Sequence, residues 1–124
     1  MKYRTALIIG VVFAGLGVVT GAFGAHQFKD FLVQTGRTET FELAVRYQFY
    51  HAFALLFTGV LQKISDNLQL KWTVICFTTG IFFFSGSLYI LCFTGIKILG
   101  AITPIGGALF IAGWLILLLR IIKK

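Results

Sequence analysis

Carboxylates are nearly missing from this 124-residue sequence: Asp and Glu together number 4, against 11 Lys and Arg. That scarcity leaves little room for chemistry built on paired acids, or for cation sites built from them. Cysteine is scarce too. Cys76 and Cys92 are the 2 present, and on a straight helix their spacing puts them roughly 24 Å apart. They cannot bridge within one chain and are expected to pack as small apolar residues. No CxxC or zinc ligand set occurs. No Ser–His–Asp arrangement is available either, because Glu42 is the lone acid inside an apolar run, so hydrolase chemistry is not expected. Phosphate-loop and dinucleotide motifs are absent. Only 12% of residues are charged, and a soluble domain of this length needs a larger polar surface.

What the sequence has instead is four long apolar runs, Ala6–Ala25, Phe41–Leu61, Trp72–Phe93 and Ile98–Leu119. Each has about the 20 helical residues that cross a bilayer's hydrocarbon core. Lipid offers no partner for a bare N–H or C=O, so such segments must be helices. The expected fold class is all-α: one membrane domain over residues 1–124, a four-transmembrane-helix bundle with short loops. The first run resembles a signal peptide in outline. It is too long for an h-region, and three further runs follow, so it is read as an uncleaved first span.

The excess positive charge of +7 points to a membrane surface rather than to nucleic acid. Lys2, Arg4, Lys63, Lys71, Arg120, Lys123 and Lys124 fall on one side of four crossings. Lys29, Arg37, Arg46 and Lys97 fall on the other, with Asp30, Glu39 and Glu42. The positive-inside rule then places both termini in the cytoplasm of a bacterial inner membrane. The required partner is the lipid bilayer. A second membrane protein or another copy of the chain is a further expected partner.

Between the first two spans, Phe28, Phe31, Leu32 and Val33 recur near helical spacing, which predicts a short interfacial helix ended by Gly36. Thr38 is the expected N-cap of span two. Gly17 and Gly21 form a GxxxG pair, suited either to packing inside the bundle or to a dimer seam. Trp72 and Trp114 are expected at the interfaces. Pro104 removes a backbone bond in span four and frees a carbonyl near residue 100, for which Ser85 or Ser87 is a candidate partner.

Ionisable groups inside a span are functional hypotheses by default. They concentrate where span one ends and span two begins: His26, then Glu42, Arg46, Tyr47, Gln48, Tyr50 and His51. If the intervening connection folds back, all can gather in the outer half of the bundle. Glu42 and Arg46 are one turn apart and expected to pair. Tyr47 and His51 share another face, and His51 is expected to be neutral and bonded to a neighbouring helix. A second polar patch comprises Ser85, Ser87, Thr103 and Pro104. Three readings stay open. Two imidazoles ligate haem or a metal; His51, Tyr47 and Gln48 form a proton relay or quinone site; or a structural polar network ties the spans together. The last requires no cofactor, and none is expected.

Four stretches carry a resemblance: Gly21–His26, Ala44–Ala52, Phe84–Tyr89, and Thr103–Gly107 followed by Gly113 and Trp114. In that order they resemble domain-of-unknown-function family 423. The resemblance implies a four-span inner-membrane protein and draws attention to His26, Arg46, Gln48, His51, Ser85, Ser87, Thr103 and Pro104. It implies no established activity. The expected role is a non-enzymatic accessory, scaffold or assembly subunit. An oligomeric small-molecule or ion carrier, and a quinone- or haem-binding redox subunit, are the alternatives.

Overall fold

The computed structural model describes residues 1–123, and Lys124 lies outside them. The described residues form helices and no strand. Helix α1 spans Tyr3–Ala25, α2 Lys29–Thr35, α3 Thr38–Ile64, α4 Lys71–Thr94 and α5 Leu99–Lys123. Three of them, α1, α4 and α5, are long and apolar enough to cross a membrane by length and composition. The expected fourth span lies inside α3. At 27 residues α3 is about 40 Å long, but the polar residues of its first half keep it out of that set.

The short helix expected between the first two apolar runs is present as α2. Gly36 closes it at φ +69°, a left-handed cap that suits glycine. Leu32 of α2 is buried against Phe41 and Cys92, while Phe28 and Phe31 both meet the ring of Phe93. The N-terminus of α3 differs from expectation. Thr38 is already helical, and Arg37 takes the cap position without a side-chain bond. Glu39 in the first turn faces the positive end of the helix instead.

The helices form two antiparallel pairs. In the first, α1 presents Gly10, Gly17 and Gly24, all buried, to α3. A methyl group at Gly10 would meet Leu56 and the Ala52 carbonyl, and at Gly17 the ring of Phe49. Phe41 fills the space over Gly24. The small residues of α1 thus let α3 approach, as small-residue faces do between membrane helices. Gly17 is covered within the chain and does not offer a dimer seam.

The second pair is α4 with α5. Gly80 lies against Phe110, and Gly113 against Phe77. Gly106 abuts the α4 backbone itself at Phe83 and Phe84, with no room for a methyl group. At that level α4 widens into a π-turn over Phe82–Gly86, a feature often found at functional or strained positions in helices. The pairs meet along α3 and α4, where Ala54, Leu55, Val74, Phe77, Ile81 and Phe110 form the main core. Outward faces are apolar: Val11, Phe57, Phe82 and Leu118 are among the exposed side chains. α5 continues through Pro104 without a break.

Charge collects at the two ends. The ammonium of Lys63 sits 5.7 Å from the ring centre of Tyr3, so the start of α1 and the end of α3 share one end. Arg37 lies beside Gly95 at the other.

Gly106 and Gly107 separate backbone contact from mere composition. Gly106→Ala forces apart α5 and the π-turn and is expected to cost about 1–3 kcal/mol. Gly107, with open space around it, should accept alanine without loss. Unfolding of both variants in mixed micelles, followed by circular dichroism, checks this; equal effects would contradict it.

Candidate functional site

The site is built on one stripe of α3. Ala44, Gln48, His51, Leu55 and Thr58 recur every three or four residues and are all buried. Such spacing keeps them on one helical face. Ala44 is small enough for α4 to come close.

His51 is the midpoint of α3 rather than a residue near its outer end, and is only 4% exposed. Its ring lies parallel to that of Phe110, with centroids 3.5 Å apart. The indole Nε1–H of Trp114 donates to His51 Nε2 at 3.0 Å. An indole N–H can only donate, so Nε2 is the unprotonated nitrogen. Nδ1 therefore carries the proton and donates to the Tyr47 carbonyl at 2.9 Å. Both ring nitrogens are used, one within α3 and one across to α5. Tyr47 itself stacks on Phe84 of the π-turn at 4.7 Å.

Gln48 performs the same service towards the other side. Its Nε2 donates to the Phe13 carbonyl of α1 at 2.8 Å. Its Oε1 accepts from Tyr89 of α4 at 2.6 Å. Tyr89 Oη in turn lies 3.2 Å from Thr20 Oγ1 of α1. One amide thus links α1, α3 and α4. Ser85, in the π-turn, donates to the Ala44 carbonyl of α3 at 2.6 Å. Ser87 donates to the Phe84 carbonyl or shares a 2.7 Å bond with Thr103 of α5. Thr103 also reaches the Leu99 carbonyl. Neither serine therefore serves the carbonyl left free by Pro104.

The other expected members do not converge on His51. His26 is exposed at the end of α1, three helical turns or roughly 16 Å along the axis from His51. Glu42 and Arg46 are exposed on a separate flank of α3. They line a cavity of about 280 Å³ beside Gly21 and Gly24. No ion pair within 4.0 Å joins them among the described residues. Pro104 is exposed. Among the described residues no three His, Cys, Asp or Glu side chains gather to hold a metal.

Trp114, Tyr89 and Thr20 are the partners that sequence reasoning missed. The residue type of Trp114 suggests an interface; it stands 44% exposed with its N–H turned inward to His51. Its signal was the spacing of Gly106, Phe110, Gly113 and Leu117, the buried stripe of α5, beside which it lies. Trp72 stands exposed in the first turn of α4, with the Lys71 ammonium 5.6 Å from its ring centre.

Apolar helices of crossing length, with polar side chains turned inward and bonded across helices, define the class: an α-helical integral membrane protein. The chain matches the model of the protein of unknown function family DUF423 over residues 20–107. It is 45% identical over 117 residues to a UPF0382 membrane protein of Staphylococcus haemolyticus, covering 94% of each chain. A UPF0382 membrane protein of Staphylococcus epidermidis is 44% identical over 120 residues, 97% of each. A Staphylococcus aureus relative of the same name is 44% identical over 117 residues, 94% of each. No solved structure matches. The chain belongs to the DUF423 family, whose function is uncharacterised.

His51→Leu strands the Trp114 N–H in an apolar interior and is expected to cost about 1–3 kcal/mol. Trp114→Phe removes the donor. The double variant should lose less than the two single losses combined, with a coupling of about 0.6–1.7 kcal/mol. Strict additivity in a double-mutant unfolding cycle would show that the bond does not contribute.

Proposed function

We propose that this protein is a non-enzymatic accessory or assembly subunit of the bacterial cytoplasmic membrane, crossing it four times with both termini inside. The observation that carries this reading is that the two large polar side chains of the α3 stripe, Gln48 and His51, are fully engaged by protein groups. Both nitrogens of His51 and both ends of the Gln48 amide bond protein groups. A haem- or metal-binding role would require Trp114 to release Nε2, and a proton relay would require a proton path that this tautomer blocks. Wide apolar faces on α1 and α5 remain for lipid or a neighbouring membrane protein.

α3 is the proposed fourth span. It runs beside α1 from Phe41 against Gly24 to Leu7 against Gly59. Its polar stripe faces inward, while Phe53, Phe57 and Val60 face outward. Short loops with Lys63, Lys71 and Arg120 at one end support the orientation.

Single cysteines in a background lacking Cys76 and Cys92 test the crossing. Gln34→Cys should react with an impermeant maleimide on intact cells, and Asn67→Cys only after permeabilisation. Reaction of both from one side would remove α3 as a span, and the reverse pattern would invert the orientation. Affinity purification of the full chain from mild detergent tests the role. A reproducible, stoichiometric membrane partner is expected. Recovery of the chain alone, together with solute or ion flux in liposomes, would replace the accessory reading with that of a carrier.

A further inference from the structure

The cavity at the corner of α1, α2 and α3 is separate from the His51 and Gln48 bonds. Its floor is apolar, formed by Gly21, Leu32, Phe41 and Val45, and its two charges are Glu42 and Arg46. Its volume of about 280 Å³ is just below the usual ~300–1,000 Å³ of drug-sized pockets. Both charges are exposed, and no ion pair within 4.0 Å joins them among the described residues. An anion and a cation one turn apart on the same helix ordinarily attract each other. Here both border one cavity, free to hold a ligand that carries the two opposite charges.

The order of the charges along α3 specifies that ligand. Glu42 is nearer the N-terminal end of the helix, and Arg46 is one turn further in, about 6 Å. In an amino-phospholipid the ammonium is outermost and the phosphodiester lies below it, towards the hydrocarbon. Arginine pairs well with phosphate oxygens. A carboxylate accepts hydrogen bonds from a primary ammonium, which a quaternary ammonium cannot donate. A carboxylate beside the headgroup disfavours a net anionic lipid. Gly21 and Val45, level with Arg46, give the cavity an apolar wall at its deeper end.

We propose that this cavity binds the headgroup of a phospholipid bearing a phosphodiester and a primary amine, with phosphate on Arg46 and ammonium on Glu42. The proposal rests on α3 crossing the bilayer with its N-terminal end at the surface, which the cysteine labelling tests independently of any lipid preference.

The test uses the full chain, delipidated in detergent. Phosphatidylethanolamine, phosphatidylcholine and phosphatidylglycerol with identical acyl chains compete for it, and adducts are read by native mass spectrometry. The expected preference for the ethanolamine lipid is about tenfold, the size of one charge-assisted hydrogen bond. Glu42→Gln should abolish the preference over choline. The double exchange Glu42→Arg with Arg46→Glu keeps the net charge but reverses its order, and should abolish it as well. Circular dichroism confirms that each variant is folded; both positions are exposed, so folding should persist. Equal binding of the three lipids by the native chain, or an undiminished preference in folded Glu42→Gln, would overturn the proposal. Full competition by free phosphoethanolamine at concentrations equal to the lipid would assign the site to a soluble zwitterion and overturn the lipid as occupant.

Discussion

Hydrocarbon accepts no hydrogen bonds, and that single constraint organises this molecule. Polar side chains on a membrane helix are driven to find partners on the protein; the threonines here bond mainly to their own helix, while Gln48, Ser85, Tyr89 and Trp114 bond to other helices. α3 carries the greatest polar load and occupies the position from which it can reach the rest. Gln48 reaches α1 and α4, Ala44 receives Ser85 from α4, and His51 receives Trp114 from α5. The bonds therefore act as cross-ties between two helix pairs that glycine contacts hold together internally. The pair contacts depend on missing side chains, and the ties depend on specific ones.

The two devices meet at the π-turn of α4. On one side Ser85 bonds the α3 backbone, and on the other Gly106 admits α5 to the backbone of Phe83 and Phe84. Phe84 also supports the ring of Tyr47. A widened turn redirects side chains by altering the helical phase locally. The serine, the phenylalanine and the close approach of α5 all fall within or against those few residues. Stability and polar geometry thus depend on the same segment, and a change there is felt in both helix pairs.

Much of this was legible in the amino-acid order. Apolar run lengths gave α1, α4 and α5, and the pattern Phe28, Phe31, Leu32 with Gly36 gave α2 and its stop. The burial of Gln48 and His51 followed from the cost of leaving them in lipid. Their partners did not, because a period of 3.6 assigns residues to a face but does not say which helix that face meets. Trp114 illustrates the gap: its type suggests an interface, and only the register of α5 against α3 turns its N–H to His51. Helical phase separates Glu42 and Arg46 from His51, and they lie on a different flank of α3; the spacing that suggests an ion pair between the two does not fix their rotamers. The π-turn left no sequence signal beyond Ser85, Gly86 and Ser87, since it answers to contacts from both neighbours.

The account's central claim is that the interior imidazole is committed to a protein–protein bond across the seam. Nitrogen-15 NMR of the labelled chain in bilayers reads this directly. The predicted spectrum shows His51 as the neutral tautomer protonated at Nδ1, with Nε2 unprotonated and coupled through the hydrogen bond to the Trp114 indole. An imidazole protonated at Nε2, or at both nitrogens, would contradict the assignment and reopen His51 as a group free for ligand or proton chemistry.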